Sequence, residues 1–253
     1  MKKILSSFAI ALVLAVSSFT SGHGLAAPEE EKILYKAEMK SEKELRKDAL
    51  SGKKDYDFKN LKVQLTDEDG NIVKDLSEST HYTVQKLKET KVGEQVLSDY
   101  VVYALADYDA RDQDSNPGIN FTQTVWMWTS ILKENNIDVW GKATRYEAKW
   151  ELNDGNGLTI KGGEFNASAN GRSKSTGKTI MSTDPTPYYP PSWGRTYVKL
   201  PTWDYIRIDD QYGAFGARVA TAYTARSSSS TLYSTVVVGS GSLPFEPWVP
   251  KQP

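Results

Sequence analysis

Residues 145–152 read Arg145-Tyr146-Glu147-Ala148-Lys149-Trp150-Glu151-Leu152, and this stretch decides the fold class. Charged and apolar side chains alternate along it with a period of two, which in a β-strand places them on opposite faces. One face is therefore expected to cover a hydrophobic core, while the charged face meets solvent. The stretch predicts a half-buried strand of an antiparallel sheet.

Residues 119–131 predict a second strand, with apolar bulk on both faces. The two faces carry Ile119, Phe121, Val125 and Met127 on one side and Thr122, Thr124, Trp126 and Trp128 on the other. We expect one face to cover a core and the other to form a platform at the surface.

Further strand signals extend the same pattern toward the C-terminus. Residues 215–223 alternate again, and residues 232–238 follow as a partner across a turn at 226–230. Between the strand signals stand the turn sequences Asp154-Gly155-Asn156-Gly157, Gly162-Gly163, Asn170-Gly171 and Asp184-Pro185. Many short strands separated by such turns predict a mainly β protein, with an antiparallel β-sandwich over residues 99–243.

The preceding residues, 27–98, differ in composition. Of residues 28–99, 31 of 72 are charged, against 30 of 154 in residues 100–253, and all seven tryptophans follow residue 99. Within this segment, residues 29–50 have apolar side chains at roughly helical spacing, and residues 61–65 and 72–74 flank a turn as in a β-hairpin. We expect a charged helix and hairpin that either dock on the sandwich or are a pro-segment lost after export. Residues 244–253 form a Pro-rich tail.

The N-terminus has the order of a signal peptide. Lys2 and Lys3 precede an apolar stretch that ends near Val16, and small residues lead to an expected cleavage after Ala26. An uncleaved anchor is the alternative, but the apolar stretch is shorter than the roughly 20 residues that span a bilayer. No later segment resembles a membrane span, so we expect a secreted, extracellular protein with no stable membrane anchor.

Composition excludes several classes of function. The 31 basic and 32 acidic residues balance closely, which argues against nucleic acid as a partner. There is no cysteine, so disulfides and thiolate chemistry are excluded, and an exported protein of this size without disulfides is typical of Gram-positive bacteria. His81 is the one histidine after the signal, too few for a structural zinc site. The Gly-rich stretch 171–179 has the wrong spacing for a phosphate loop and predicts a polar turn between strands.

An acidic stretch raises the question of calcium. Four carboxylates, Asp107, Asp109, Asp112 and Asp114, fall within eight residues of turn-rich sequence. Oxygen ligands at close spacing suit Ca²⁺, although the spacing is not that of an EF-hand loop. The alternative is an ordinary solvated loop, partly neutralised by Arg111. No other cofactor is expected.

Aromatic residues give the strongest indication of function. The candidate ligand-binding residues are Trp126, Trp128, Tyr188, Tyr189 and Trp193. Exposed aromatic rings can stack against sugar rings while polar neighbours bind the hydroxyl groups. The alternative is that these rings fill the sandwich core. A carbohydrate site therefore predicts that a subset of the rings is exposed and coplanar, and the hypothesis fails if all of them are buried.

We therefore expect an exported, non-catalytic protein that binds an extracellular glycan or protein ligand. The candidate glycans are cell-wall and environmental carbohydrates. A secreted, membrane-acting toxin is one alternative, because residues 226–242 resemble an amphipathic hairpin strand. A polysaccharide hydrolase is another and needs two facing carboxylates, for which Glu147 with Glu151 or Asp209 with Asp210 are candidates.

Overall fold

The computed structural model describes residues 31–72, 80–109, 120–154, 158–189, 191–225, 228–246 and 248. In chain order the elements are β1 (Lys32–Lys36), α1 (Glu42–Leu50), β2 (Leu61–Thr66), β3 (Thr80–Val92), β4 (Gln95–Asp109), β5 (Asn120–Glu134), β6 (Ile137–Asp154), β7 (Leu158–Arg172), β8 (Thr179–Tyr188), β9 (Thr196–Lys199), β10 (Ile206–Arg207), β11 (Ala214–Ala225) and β12 (Ser228–Gly239).

These strands form two antiparallel sheets packed face to face, which confirms the predicted β-sandwich. Sheet A has the order β1-β3-β4-β5-β6-β10, with β9 also paired to β6. Sheet B has the order β2-β12-β11-β7-β8. The turn at 173–178 joins β7 to β8, as expected for a polar turn between strands.

The core lies between the inner faces of the two sheets. Tyr146, Ala148 and Trp150 of β6 are fully buried, which confirms the predicted alternation up to Trp150, whereas Leu152 is 37% exposed. They pack with inward residues of β4, β5, β7 and β11 in one large cluster, including Tyr100, Val102, Met127, Phe165 and Phe215. The opposite side chains of β6 point away from sheet B and line the outer face of sheet A.

A polar network also joins the two sheets inside the core. The Trp150 indole Nε1 donates to Thr221 Oγ1 at 2.7 Å, and Gln123 Nε2 donates to the same hydroxyl. Ser234 Oγ donates to Gln123 Oε1. All four residues are buried, so the network supplies partners that their polar atoms could not otherwise find away from water.

Helix α1 packs on the outer face of sheet A. Ser41 and Glu44 form a capping box at its N-terminus, and the buried Leu45 packs with Tyr103 and Trp126. Ion pairs at its edge link Arg46 to Asp107 and Glu42 to Lys149. The helix is shorter than expected, because the residues at 32–36 form the edge strand β1 instead.

The charged segment contributes to both sheets. β1 and β3 belong to sheet A, and β2 pairs with β12 in sheet B. A bridge between Thr66 and Ile72 forms where the hairpin was expected, and residues 73–79 lie outside the described residues. The compositional change near residues 95–100 therefore coincides with the start of β4 in the β3–β4 hairpin.

The described residues of the Pro-rich tail, 244–246 and 248, pack on the outer face of sheet B. Arg218 Nη2 donates to the Glu246 carbonyl at 2.6 Å, and the Tyr233 hydroxyl donates to the Trp248 carbonyl at 2.9 Å. The Trp248 ring packs with Ala220 and Ala222, whose small side chains leave room for it. Under the tail, Arg218 also binds Glu164 at 3.0 Å in a buried ion pair.

Candidate functional site

An open groove of about 650 Å³ lies on the outer face of sheet A beside helix α1. Its floor is formed by Trp126, Trp128, Thr144, Arg145 and Glu147, and its walls by Met39, Glu42, Thr196 and Leu200. Ligand pockets in proteins commonly have volumes of about 300–1,000 Å³, so the groove is large enough for a small ligand. We call it the Trp128 groove.

β5 and β6 place the floor residues side by side through their register. Trp128 lies opposite Arg145, and Trp126 lies opposite Glu147. All four side chains point to the outer face of sheet A. Two indoles, a guanidinium and a carboxylate therefore come together on one surface. The period-two pattern of the sequence predicts this arrangement once the pairing of the two strands is known.

Trp128 is the aromatic residue that the groove leaves accessible. It is half-buried, and the Arg145 guanidinium lies 5.2 Å from its ring centroid. Arg145 Nη2 also donates to Glu147 Oε1, whereas Arg145 Nε has no acceptor among the described residues. The floor thus combines an apolar ring, a guanidinium and a carboxylate acceptor.

Trp126 does not form an exposed platform with Trp128. Its side chain is 4% exposed, because Leu45 of helix α1 covers it and Tyr103 packs edge-on at 5.2 Å. Among the ring contacts of the described residues, no two of the candidate aromatics stack in parallel. The groove therefore offers one accessible ring, with Trp126 as its buried support.

The aromatic residues at 188–193 separate into different environments. Tyr188 is half-buried against Tyr197, with ring centroids 4.1 Å apart, and both approach Trp150 at the edge of the core. Tyr189 and Trp193 are exposed, and the Tyr189 ring lies 6.3 Å from that of Trp248. None of the three lines the Trp128 groove.

The proposed calcium ligands lie partly outside the described residues. Asp112 and Asp114 are outside them, and of Asp109 only the backbone is described. Asp107 accepts a hydrogen bond from Thr122 and forms an ion pair with Arg46 at 3.4 Å. The described part of the chain holds no group of three metal-binding side chains, so the calcium hypothesis stays a prediction.

The carboxylates considered for glycoside hydrolysis are held by other groups. Glu147 binds Arg145, and Glu151 binds Lys149 at 2.8 Å. Asp209 forms a two-point ion pair with Arg207, and these hydrogen bonds hold the pKa of its carboxyl below the usual value. Asp210 accepts hydrogen bonds from the backbone of Tyr212 and Gly213. A hydrolase needs a carboxyl with a raised pKa as its general acid, whereas the ion pair with Arg207 has the opposite effect on Asp209.

The strand considered for membrane insertion lies inside sheet B. β12 is hydrogen-bonded to β11 along twelve residue pairs and to β2 along six. Releasing it would break both ladders. Among the described residues, no helix has the length and apolar character needed to cross a membrane.

Sequence reasoning missed the walls of the groove. Met39 and Leu200 are large apolar residues, 44% and 68% exposed, that lie in loops without periodicity. Their sequence positions carry no signal of a site, because only the packing of α1 and the pairing of β9 with β6 bring them beside Trp128. Arg145 was recognised only as part of a charged face.

Comparison of the chain with protein-family models, with curated proteins and with solved structures finds no match. The fold defines the class of the protein, a two-sheet antiparallel β-sandwich. An inference about its function has to start from the chemistry of its surfaces.

Proposed function

We propose that this protein is an exported, non-catalytic binding module and that the Trp128 groove takes an extracellular carbohydrate. The observation that carries the proposal is the half-buried indole of Trp128 next to Arg145 and Glu147 in an open groove. An indole offers an apolar surface to the C–H face of a sugar ring. Arg145 donates to sugar oxygens, and Glu147 accepts from sugar hydroxyl groups.

Met39 and Leu200 also support a ligand at this position. Both are exposed apolar side chains that line the groove, and a ligand bound there would shield them from water. The hydroxyl groups of Thr144 in the floor and Thr196 in the wall add neutral polar partners. Since Arg145 and Glu147 balance each other, the floor favours a neutral ligand over a charged one.

A retention assay tests the proposal. The mature protein is incubated separately with insoluble peptidoglycan, chitin, cellulose and liposomes, and the bound fraction is measured for the wild type and for Trp128→Ala. We expect retention on at least one polymer and an affinity at least about tenfold weaker for Trp128→Ala, equivalent to about 1.4 kcal/mol.

Trp193→Ala is the matched control, because Trp193 is an exposed tryptophan outside the groove. It should retain wild-type binding, and circular dichroism should show both variants folded. Loss of binding in Trp193→Ala with wild-type binding in Trp128→Ala would move the site to the 188–193 loop and contradict the proposal. Partition to liposomes instead of glycans would favour the membrane-acting alternative.

A further inference from the structure

The strand register places three kinds of surface side by side at the Trp128 groove. On one side of β6, Trp128 of β5 lies opposite Arg145. On the other side, Val198 of β9 lies opposite Glu147, and Leu200 follows Val198 by two residues. The order across the outer face is therefore an aromatic ring, a polar pair and an apolar edge.

The apolar edge is open to solvent. Val198 and Leu200 are 47% and 68% exposed, and they point to the outer face because they alternate with the buried Tyr197 and Lys199. Leu200 lines the groove itself. A methyl group of a ligand that bound here would remove apolar surface from water, whereas a hydroxyl group would lose its own hydration.

The polar pair can donate and accept at the same time. The Arg145 side chain is 40% exposed, and Glu147 is its one hydrogen-bonded partner within the described part of the chain. Arg145 binds Glu147 through Nη2 and Oε1, and a carboxylate has about four lone-pair sites, so Glu147 can accept a further hydrogen bond. An amide group has a carbonyl oxygen and an N–H group on adjacent atoms, which complements this pair.

We propose that the Trp128 groove selects carbohydrate whose rings carry an acetamido group, an inference that rests on the proposed function. The sugar ring stacks on the Trp128 indole, the acetamido carbonyl accepts from Arg145, and the acetamido N–H donates to Glu147. The methyl group then lies against Leu200. Adjacent strands are about 4.8 Å apart, so β5 and β9 are separated by about 10 Å, which a sugar ring and its acetamido group span together. The group is uncharged, as the balanced floor requires.

The test compares two soluble trisaccharides that have the same linkage. Triacetylchitotriose has an acetamido group on each ring, and cellotriose has a hydroxyl group at the same position. Isothermal titration calorimetry measures the affinity of the mature protein for each. Because the amide adds hydrogen bonds and the methyl adds an apolar contact, we expect triacetylchitotriose to bind at least about tenfold more tightly. A soluble N-acetylated glycan fragment of peptidoglycan, measured in the same way, distinguishes chitin from cell wall as the source.

Leu200→Ala isolates the contribution of the methyl contact. It should weaken the binding of triacetylchitotriose about fivefold and leave that of cellotriose unchanged. Leu200 is largely exposed, so its replacement is compatible with folding. Met181→Ala is the matched control, because Met181 is an apolar residue, 75% exposed, on β8 of sheet B. It should change neither affinity.

Two results would overturn the preference for acetamido sugars while carbohydrate binding itself stands. One is that cellotriose binds as tightly as both N-acetylated ligands. The other is that Leu200→Ala weakens the binding of both trisaccharides equally. If none of the saccharides binds at about 10 mM, the proposed function fails as well.

Discussion

At the scale of single residues, Trp126 and Trp128 show how far a sequence pattern reaches. Their spacing predicts that they share one face of a strand, and β5 confirms this. The pattern contains no information on what covers that face, because helix α1 comes from a distant part of the chain. Trp126 is covered by the helix and Trp128 is not, so the candidate site has one accessible ring where the sequence suggested two.

Replacing Thr221 tests the polar network in the core. Thr221→Val keeps the shape of the side chain but removes the acceptor of the Trp150 indole and the Gln123 amide. Two buried donors then lose their partner, and we expect the free energy of unfolding to fall by about 2 kcal/mol in urea denaturation. Thr224→Val on the same strand is the control. Its hydroxyl contacts Ser229 in an exposed position, and the change should stay within about 0.5 kcal/mol. An equal effect in both variants would mean that the network adds no stability.

At the scale of elements, the sequence predicts strands that have one buried face and misses those that do not. β6 and β11 were expected because apolar and polar residues alternate along them, and β12 was expected as the partner of β11 across a turn. All five residues of β1 are exposed, and it is joined to the sheet by backbone hydrogen bonds to β3. Residues that are all exposed show no alternation of apolar and polar side chains along the strand. Ile33 and Leu34 therefore fitted the spacing of a helix instead. β9 and β10 were missed because strands of four and two residues are too short to show a period in the sequence.

Asp204 makes the β7–β8 turn sensitive to acid. Burial raises the pKa of its carboxyl, but hydrogen bonds from the Ser173 hydroxyl and the Ser175 backbone, both at 2.7 Å, lower it to about 2. Because the pKa is lower in the folded state than the usual value of about 3.9, the carboxylate stabilises the fold above pH 4. This contribution is lost as the pH falls from about 4 to 2.

Asp204→Ala should therefore reduce the free energy of unfolding by about 1 kcal/mol at neutral pH, after allowance for partial solvent screening. The difference from the wild type should shrink as the pH is lowered to about 2, as measured by urea unfolding at a series of pH values. Asp204→Asn should lack the same pH-dependent component, since it has no charge to lose. A difference that is constant with pH would contradict this role for the carboxylate.

At the scale of the whole molecule, the two outer faces of the sandwich are each partly covered by a segment from outside the main strands. Helix α1 covers part of sheet A, and the C-terminal tail covers part of sheet B. Each segment leaves a groove at its side. Composition separated the charged segment from the tryptophan-rich segment, but the sheets combine strands from both, because pairing depends on backbone hydrogen bonds that composition does not record.

Removing the tail tests its role in the whole fold. Truncation after Ser242 deletes the contacts of Phe245 and Trp248 and exposes the buried pair of Arg218 and Glu164. Because the truncation exposes apolar surface to water, we expect the free energy of unfolding to fall by about 3 kcal/mol. Glu246→Ala is the control, because only the backbone carbonyl of Glu246 binds Arg218, and it should change stability by less than about 0.5 kcal/mol. A truncated protein as stable as the full chain would show that the tail is only loosely associated.

The most direct test of carbohydrate binding at the Trp128 groove follows the indole N–H signals of the tryptophans by ¹H–¹⁵N correlation spectroscopy. Soluble oligosaccharides of the polymer that retained the protein are added, and the signals are assigned with single Trp→Phe variants. The proposal predicts that the Trp128 signal shifts most, with a saturable dependence on ligand concentration, while the Trp193 and Trp140 signals stay in place. Saturable shifts at Trp193 with an unchanged Trp128 signal would contradict it.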